Sequence, residues 1–279
     1  MDDRFIILTE YFRPAHKTRR KEIAKSIEIN CRIPQTKRVI IFIDPEVEFP
    51  PSLKRVLSKE NYDKIELHHI EPGGRSTYAD FFSYANEHLV GENCALCNND
   101  ISFDESLDYI RFAEDFDLEG HFICLTRWDI RRDNSLRFQR AKVRKNSQDA
   151  WIFKPSIPPK MIERGGFYLG RPGCDGMVSY LATISGLKLL NPSEIVRARH
   201  LHLSYYRTYR CRKHRLGGDD IYMCTIPTKQ IKFNLPNIMY RFGKPRREAH
   251  GQEAIDKAKE FETHNQHHWD YAIKKCRSQ

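Results

Sequence analysis

Arg38-Val39-Ile40-Ile41-Phe42-Ile43-Asp44 carries five large apolar residues in unbroken succession and then stops at Asp44-Pro45. An apolar run of this kind, without polar alternation, reads as a strand covered on both faces, as parallel sheets require. The proline ends it, because its nitrogen has no hydrogen to give a ladder. Working outward, Arg4-Phe5-Ile6-Ile7-Leu8-Thr9 has the same character. Between the two runs, Arg19 to Asn30 sets Ile23, Ala24 and Ile27 at helical spacing, and Pro34 closes the segment. Strand, helix, strand is the unit of a parallel sheet.

The pattern continues. Lys64 to Ile70 reads as a third strand, closed by Pro72-Gly73-Gly74, and Thr77 to Val90 as a helix with an aromatic face of Tyr78, Phe81, Phe82 and Tyr84. Cys94 to Cys97 is a short strand leading into Asn98-Asn99-Asp100, and Phe122 to Thr126 is another running into Arg127-Trp128. The expected fold is therefore α/β with a largely parallel sheet, whose ligands bind at the carboxyl ends of its strands. Neither G-x-G-x-x-G nor a Walker A loop follows the first strand, which argues against dinucleotide and P-loop chemistry. After Asp149 the character changes. Pro155 to Pro159 is a connector, Gly165 to Gly170 is glycine-rich, Met177 to Leu187 reads as a helix and Arg199 to Leu203 as a strand. Glu253 to Phe261 and Asp270 to Lys275 look helical, and there is no internal repeat.

With 279 residues, 40% hydrophobic and 11% aromatic, the chain can bury a sizeable core. Its longest apolar stretch, Val39 to Ile43, is far short of a membrane span. Met1-Asp2-Asp3-Arg4 is unlike the basic start of a signal peptide, so a cytoplasmic location is expected, with the eight cysteines reduced. Cys94 and Cys97 form the one C-x-x-C; three apart on a strand they face opposite sides, which suits buried thiols better than chelation. The net charge is +10, and Arg207 to His250 alone holds 11 Lys or Arg against 3 Asp or Glu. Such a field favours a diphosphate, an anionic acceptor or a nucleic acid, or is simply a solvated basic face.

Asn98-Asn99-Asp100-Ile101-Ser102-Phe103-Asp104 is the most informative chemical stretch. A carboxylate at a strand end can hold a divalent cation against a diphosphate, although Asn and Asp are also ordinary turn residues. Gly170-Arg171-Pro172-Gly173-Cys174-Asp175-Gly176 puts Asp175 near the first turn of a helix, as a cap or as a base for an acceptor hydroxyl. Ser147-Gln148-Asp149-Ala150-Trp151 offers a second carboxylate before an aromatic-rich strand. In His200-Leu201-His202 the imidazoles alternate onto one face of a strand, as metal ligands or as packed side chains.

The motifs C-N-N-D-I-S-F-D, L-T-R-W, S-Q-D-A-W-I-F, L-G-R-P-G-C-D and N-P-S with H-L-H, in that order, resemble the GT-A glycosyltransferases, including the β-1,4-galactosyltransferase type. They look closest to small enzymes of bacteria and of large DNA viruses of algae and protists. The resemblance covers about Arg4 to Tyr209. It implies a GT-A-like, mostly parallel Rossmann-like sheet flanked by helices, over residues 1–209. Residues 1–104 would be the nucleotide-binding half and 105–209 the acceptor and catalytic half, with 210–279 a basic C-terminal extension packed on them. It implies a nucleoside-diphosphate sugar donor, in family terms a UDP-sugar, a glycan or glycoprotein acceptor, and Mn²⁺ or Mg²⁺.

The resemblance also assigns roles. Asn98-Asn99-Asp100 would stand at the D-x-D position, with Asp100 on metal and diphosphate and Asn98 in place of the first aspartate. Thr9, Glu10 and Tyr11 would meet the nucleotide, and Arg75 to Asp80, with Tyr78 among them, the base and ribose. Arg127 and Trp128 would line the donor site, and Trp128 and Trp151 would offer apolar faces to a sugar. Asp175 would be the general base of an inverting displacement and Asp149 an orienting group, or the reverse. His200 or His202 would complete the metal shell. Two rival readings stand beside this one. The aromatic-basic run Tyr205 to Arg212 suits a nucleic-acid binder, and Asp100, Asp149, Asp175 and the histidines could form a metal-dependent nuclease site. Asn98 suits a sugar-binding relative without activity.

Overall fold

Along β1 (Phe5–Tyr11) every residue is buried, and successive side chains enter two different cores. Phe5 and Ile7 join one cluster, Ile6 and Leu8 the other. Alternation with both faces apolar is what a central strand between two helical layers requires. The computed structural model describes residues 2–138, 147–204, 206, 216, 221–231, 237–242 and 247–264.

After β1 come α1 (Lys17–Arg32), β2 (Thr36–Ile43), α2 (Ser52–Val56), α3 (Lys59–Tyr62), β3 (Ile65–His69), α4 (Tyr78–His88) and β4 (Asn93–Cys97). Next are β5 (Ile101–Ser102), α5 (Asp108–Arg111), β6 (His121–Ile130), β7 (Leu136–Phe138) and β8 (Gln148–Phe153). The chain continues through α6 (Pro159–Glu163), α7 (Cys174–Ile184), β9 (Lys188–Leu190) and β10 (Ala198–His200). It ends in a small sheet of β11 (Ile221–Thr225), β12 (Asn237–Phe242) and β13 (Arg247–His250), followed by α8 (Gln252–His264).

The main sheet runs β3-β2-β1-β4-β8-β6-β10-β5, with β7 and β9 also paired to β6. β3, β2, β1 and β4 are parallel neighbours, and β9 and β10 run parallel to β6. β8 is inserted antiparallel between β4 and β6. The expected α/β architecture, a mostly parallel sheet flanked by helices, is thus the observed one. One face is covered by α4 through Phe81 and Phe82, by α7 through Met177, Val178 and Leu181, and by Ala254 and Ala258 of α8. The other is covered by α1 through Ile23, Ile27 and Cys31 and by Leu53 of α2. Cys94 lies in the first core and Cys97 in the second, so the C-x-x-C thiols do face apart. Burial pushes both thiols up, which leaves them protonated.

Several boundaries differ from the sequence reading. β1 extends to Tyr11 because its pairing with β2 continues to Ile43, so Thr9 to Tyr11 lie within the strand. β6 continues to Ile130, since Arg127 to Asp129 pair with β10. α7 starts at Cys174, three residues before Met177, after Gly173 turns the chain at φ 91°. β10 ends at His200, so Leu201 and His202 lie past the strand that was expected to run to Leu203. The amide of Leu201 donates instead to the Asp100 carbonyl, 2.9 Å away. In the described part of 210–279, Leu216, Met223, Ala254 and Ala258 share the α4–α7 core. Asp270 to Lys275 lies outside the described residues. Among the described residues, no helix is long and apolar enough to cross a membrane.

Candidate active site

Strand polarity decides where the polar side chains collect. β1, β4, β6 and β10 all end at one edge of the sheet, and antiparallel β8 begins there. Glu10, Asn98, Asn99, Asp100, Arg127, Asp149, His200 and His202 therefore line one cleft, joined by Phe12, Arg19, Arg75, Leu169, Gly170 and Tyr206. Residues as far apart in sequence as Glu10 and Tyr206 meet because the parallel topology returns each strand to the same edge.

Asp100 is the centre of this cleft. Its Oδ2 lies 3.1 Å from His200 Nε2, 3.7 Å from His202 Nδ1 and 2.5 Å from Arg19 Nη2. Burial pushes the Asp100 carboxyl up, but the His200 imidazole and Arg19 guanidinium outweigh it and hold it below the ordinary range. His200 is pulled down by burial and more strongly up by the Asp100 and Asp129 carboxylates, for a net rise. Burial, and then Arg19, lower His202 to about 4.

Second partners fix which ring nitrogens face Asp100. His202 Nε2 lies 2.8 Å from the Tyr206 carbonyl, an acceptor, so that nitrogen carries the proton and Nδ1 turns a lone pair toward Asp100. His200 Nδ1 lies 2.9 Å from Asp129 Oδ1, so in the neutral ring Nε2 is the lone pair. One carboxylate and two imidazole nitrogens, all within 4.8 Å of one another, make a donor set that fits a divalent cation. A lone pair facing a carboxylate at 3.7 Å gains nothing without a positive charge between them.

A second group surrounds Asp149. Its carboxylate accepts from Asn98 Nδ2 at 2.9 Å, Ser147 Oγ at 2.9 Å and Arg127 Nη1 at 3.3 Å. Its carbonyl accepts from the Asn98 amide, so Asp149 sets the shape of the Asn98–Asp100 turn. Asn98 Oδ1 is buried with no hydrogen-bond partner among the described residues, and a Cβ at Gly170 would stand 3.6 Å from it. On the opposite wall, Arg75 donates to Glu10 Oε1 at 2.6 Å and to the Leu169 carbonyl at 3.0 Å. The same guanidinium lies over the rings of Phe12 and Tyr168.

Other expected residues are placed elsewhere. Thr9 is buried and spends its hydroxyl on the Cys97 carbonyl, tying β1 to β4. Tyr11 is buried against Phe49. Tyr78 has no exposed surface, and its hydroxyl donates to Cys174, so it is a core residue where a base contact was expected. Asp80 closes a capping box with Thr77 at the start of α4. Trp151 is wholly buried against Tyr78, so it has no face for a sugar. Trp128 donates its indole N–H to the Ser193 carbonyl and packs on Phe138. Asp175 stands in the first turn of α7, with Oδ2 3.4 Å from the Gln148 amide, and is not among the side chains lining the cleft. Asp149 pairs with Arg127 and Asn98, and among the described residues the candidate metal-ligand group holds Asp100 and both histidines but neither Asp149 nor Asp175. The run Tyr205 to Arg212 lies outside the described residues except Tyr206.

Arg19 and Asp129 escaped the sequence reading, yet each left a signal. Arg19 precedes Ile23, Ile27 and Cys31 at intervals of four, which places a charge on the buried stripe of α1. Asp129 follows Arg127 by two on a strand and shares its face.

No family model matches the sequence, and no curated protein does. Solved structures do show likeness. One is the mannosyltransferase PcManGT from Pyrobaculum calidifontis in complex with GDP-Man and Mn²⁺, with 13% identity and a TM-score of 0.47 over 76% of this chain and 61% of that one. Another is S. aureus TarS 1-349 in complex with UDP-GlcNAc, with 10% identity and a TM-score of 0.43 over 74% and 62%. A third is a 4-diphosphocytidyl-2C-methyl-D-erythritol synthase, with 11% identity and a TM-score of 0.41 over 75% and 93%. The chain spans about three fifths of the length of the first two. Likeness at this level fixes no activity; the chemistry of the cleft rests on the side chains just described.

Proposed function

We propose that this chain is a glycosyltransferase of the GT-A type. It takes a nucleoside-diphosphate sugar, a UDP-sugar in the first instance, and moves a hexose or pentose to a hydroxyl of a glycan or glycoprotein acceptor. The observation that carries this reading is the convergence of Asp100, His200 and His202 with Arg75 and Arg127 at the carboxyl edge of a mostly parallel sheet. A cation set beside two guanidinium groups suits a diphosphate, which presents both metal-binding and arginine-binding oxygens.

Asp100, His200 and His202 would hold the cation, and imidazole donors favour Mn²⁺ over Mg²⁺. When bound, such an ion neutralises the negative charge that builds on a departing diphosphate. The protein's own groups do the rest. Asn98 and Asn99 offer amide hydrogen bonds to donor hydroxyls or phosphate. Arg127, held by Asp149 and Asp129, and Arg75, held by Glu10, face the anionic end of the donor. Asp149 lines the cleft and serves three donors, so it positions the turn; of the two carboxylates it is also the one proposed to take the proton from the acceptor hydroxyl, with Asp175, set back at the Gln148 amide, supporting it. Attack from the face opposite the leaving group would invert the anomeric carbon.

A panel of nucleotide sugars, titrated by calorimetry with and without Mn²⁺ and assayed for slow hydrolysis, tests the reading. The expected result is metal-dependent binding of one donor with release of its nucleoside diphosphate. Binding of none under either condition would sink it. Asp149→Asn should retain donor binding and lose transfer; if Asp175→Asn does so instead, the two roles are exchanged.

A further inference from the structure

Asp100 already has a cation against it. Arg19 is 8% exposed, and its Nη2 lies 2.5 Å from Asp100 Oδ2, the oxygen that both imidazoles face. The guanidinium is anchored from behind, with Nη1 3.2 Å from the Leu201 carbonyl and 3.3 Å from Glu22 Oε2. Glu22 in turn accepts from the Ser204 amide at 2.7 Å and the Ser204 hydroxyl at 2.8 Å. α1 thus grips the segment that carries His202 and delivers a fixed positive charge to the same carboxylate.

We propose that Arg19 is the resident counter-ion of Asp100 and makes divalent-cation binding conditional on the arrival of a diphosphate. The reason is electrostatic. A divalent cation shared by Asp100, His200 and His202 would stand beside the guanidinium, and two positive centres at one buried carboxylate repel. The guanidinium cannot simply leave, since a buried charge without a partner is costly. A diphosphate changes the balance, because its oxygens give both cations something to bind and match the planar guanidinium fork. Arg19 lines the cleft, so it meets such a ligand without leaving α1. By linkage, whatever Arg19 takes from the affinity of the cation alone reappears as coupling between cation and nucleotide. The diphosphate half of this inference rests on the glycosyltransferase reading; the counter-ion half does not.

The test titrates Mn²⁺ by calorimetry into the full chain, wild type and Arg19→Met, with and without uridine diphosphate. Arg19→Met should bind Mn²⁺ alone at least about tenfold more tightly than wild type, a change of about 1.4 kcal/mol. Uridine diphosphate should strengthen Mn²⁺ binding in wild type by a larger factor than in the variant. Equal or weaker Mn²⁺ binding by Arg19→Met overturns the inference, because the guanidinium would then be orienting Asp100 rather than opposing the ion. Absence of Mn²⁺ binding in both proteins overturns it as well. Circular dichroism checks folding, and Arg19→Gln, which also removes the charge, carries the same test if the Met variant is unfolded. Tighter Mn²⁺ binding by the variant without any nucleotide binding would keep the counter-ion and discard the donor reading.

Discussion

Asp129 stands one hydrogen bond behind His200, and its effect on the cleft passes through that ring. Its carboxylate holds Nδ1 and leaves Nε2 aimed at Asp100. Asp129→Asn should therefore weaken Mn²⁺ binding by about 10- to 100-fold, the usual cost of losing a partner behind a metal-binding histidine. Calorimetric Mn²⁺ titration checks it, with His200→Ala giving the larger loss. The two histidines also predict opposite pH effects on metal-free stability. His202 binds its proton less readily in the folded state, at about 4 against an ordinary 6.5. The unfolded chain then takes up more protons across that window, so His202 costs stability as pH falls from 6.5 toward 4. His200, with its raised value, contributes stability that is fully present below its ordinary value and is lost as pH rises through the folded one. His202→Gln should make the acid-side fall in Tm shallower. It should not abolish the fall, because His68 and His121 are lowered as well.

At the scale of elements, the same side chain can read as ligand contact or as helix punctuation, and packing tells which. Asp80 was expected near a ribose, but its Oδ2 accepts from the Thr77 amide at 2.7 Å while Thr77 caps the Asp80 amide. Thr77→Ala and Asp80→Ala should each lower stability by about 1 kcal/mol in urea unfolding, and both should leave nucleotide-sugar affinity unchanged. A loss of affinity in Asp80→Ala alone would return that residue to the donor site. Gly173 is a second such point. Its φ of 91° turns the chain into α7 and sets Asp175 in the first turn. Gly173→Ala forces a Cβ into left-handed backbone and should cost about 1–2 kcal/mol, read as a lower urea midpoint at unchanged slope. Strand and helix existence was legible here, because Val39 to Ile43 and the Ile23–Ile27 spacing are local patterns. Element ends were less so, because β1, β6 and β10 stop where a neighbouring strand stops pairing.

For the whole molecule, described residues of the C-terminal quarter, Leu216, Met223, Ala254 and Ala258, belong to the α4–α7 core. Thr225 accepts from Gln148 at 3.2 Å, Asn191 donates to the Thr225 carbonyl at 3.0 Å, and Tyr180 donates to Glu262 at 3.1 Å. Arg164 pairs with the same glutamate. Gln148 adjoins Asp149 in β8, so its bond to Thr225 runs from the small sheet to the strand that shapes the cleft. Removing residues 210–279 should therefore abolish donor binding and acceptor use together and lower Tm, as followed by circular dichroism and calorimetry. A truncated chain that kept donor affinity would show that the first 209 residues fold alone.

The sequence by itself determined the α/β class, the strands and helices of the first half, and most members of the cleft. Asn98, Asn99, Asp100, Arg127, Asp149 and the histidines were found because polar residues following or entering apolar strands gather at one edge of a parallel sheet. Tertiary structure decided which of these groups touch. It put Arg19 on Asp100 and Asp129 on His200. It gave Asp149 to Arg127 and Asn98, took Tyr78 and Trp151 into the core, and kept Asp175 off the cleft wall. The physical reason is range. Periodicity and turn chemistry are written in neighbouring residues, whereas a salt bridge between positions 19 and 100 depends on how a helix is rotated over a sheet, which only the packing of both cores fixes.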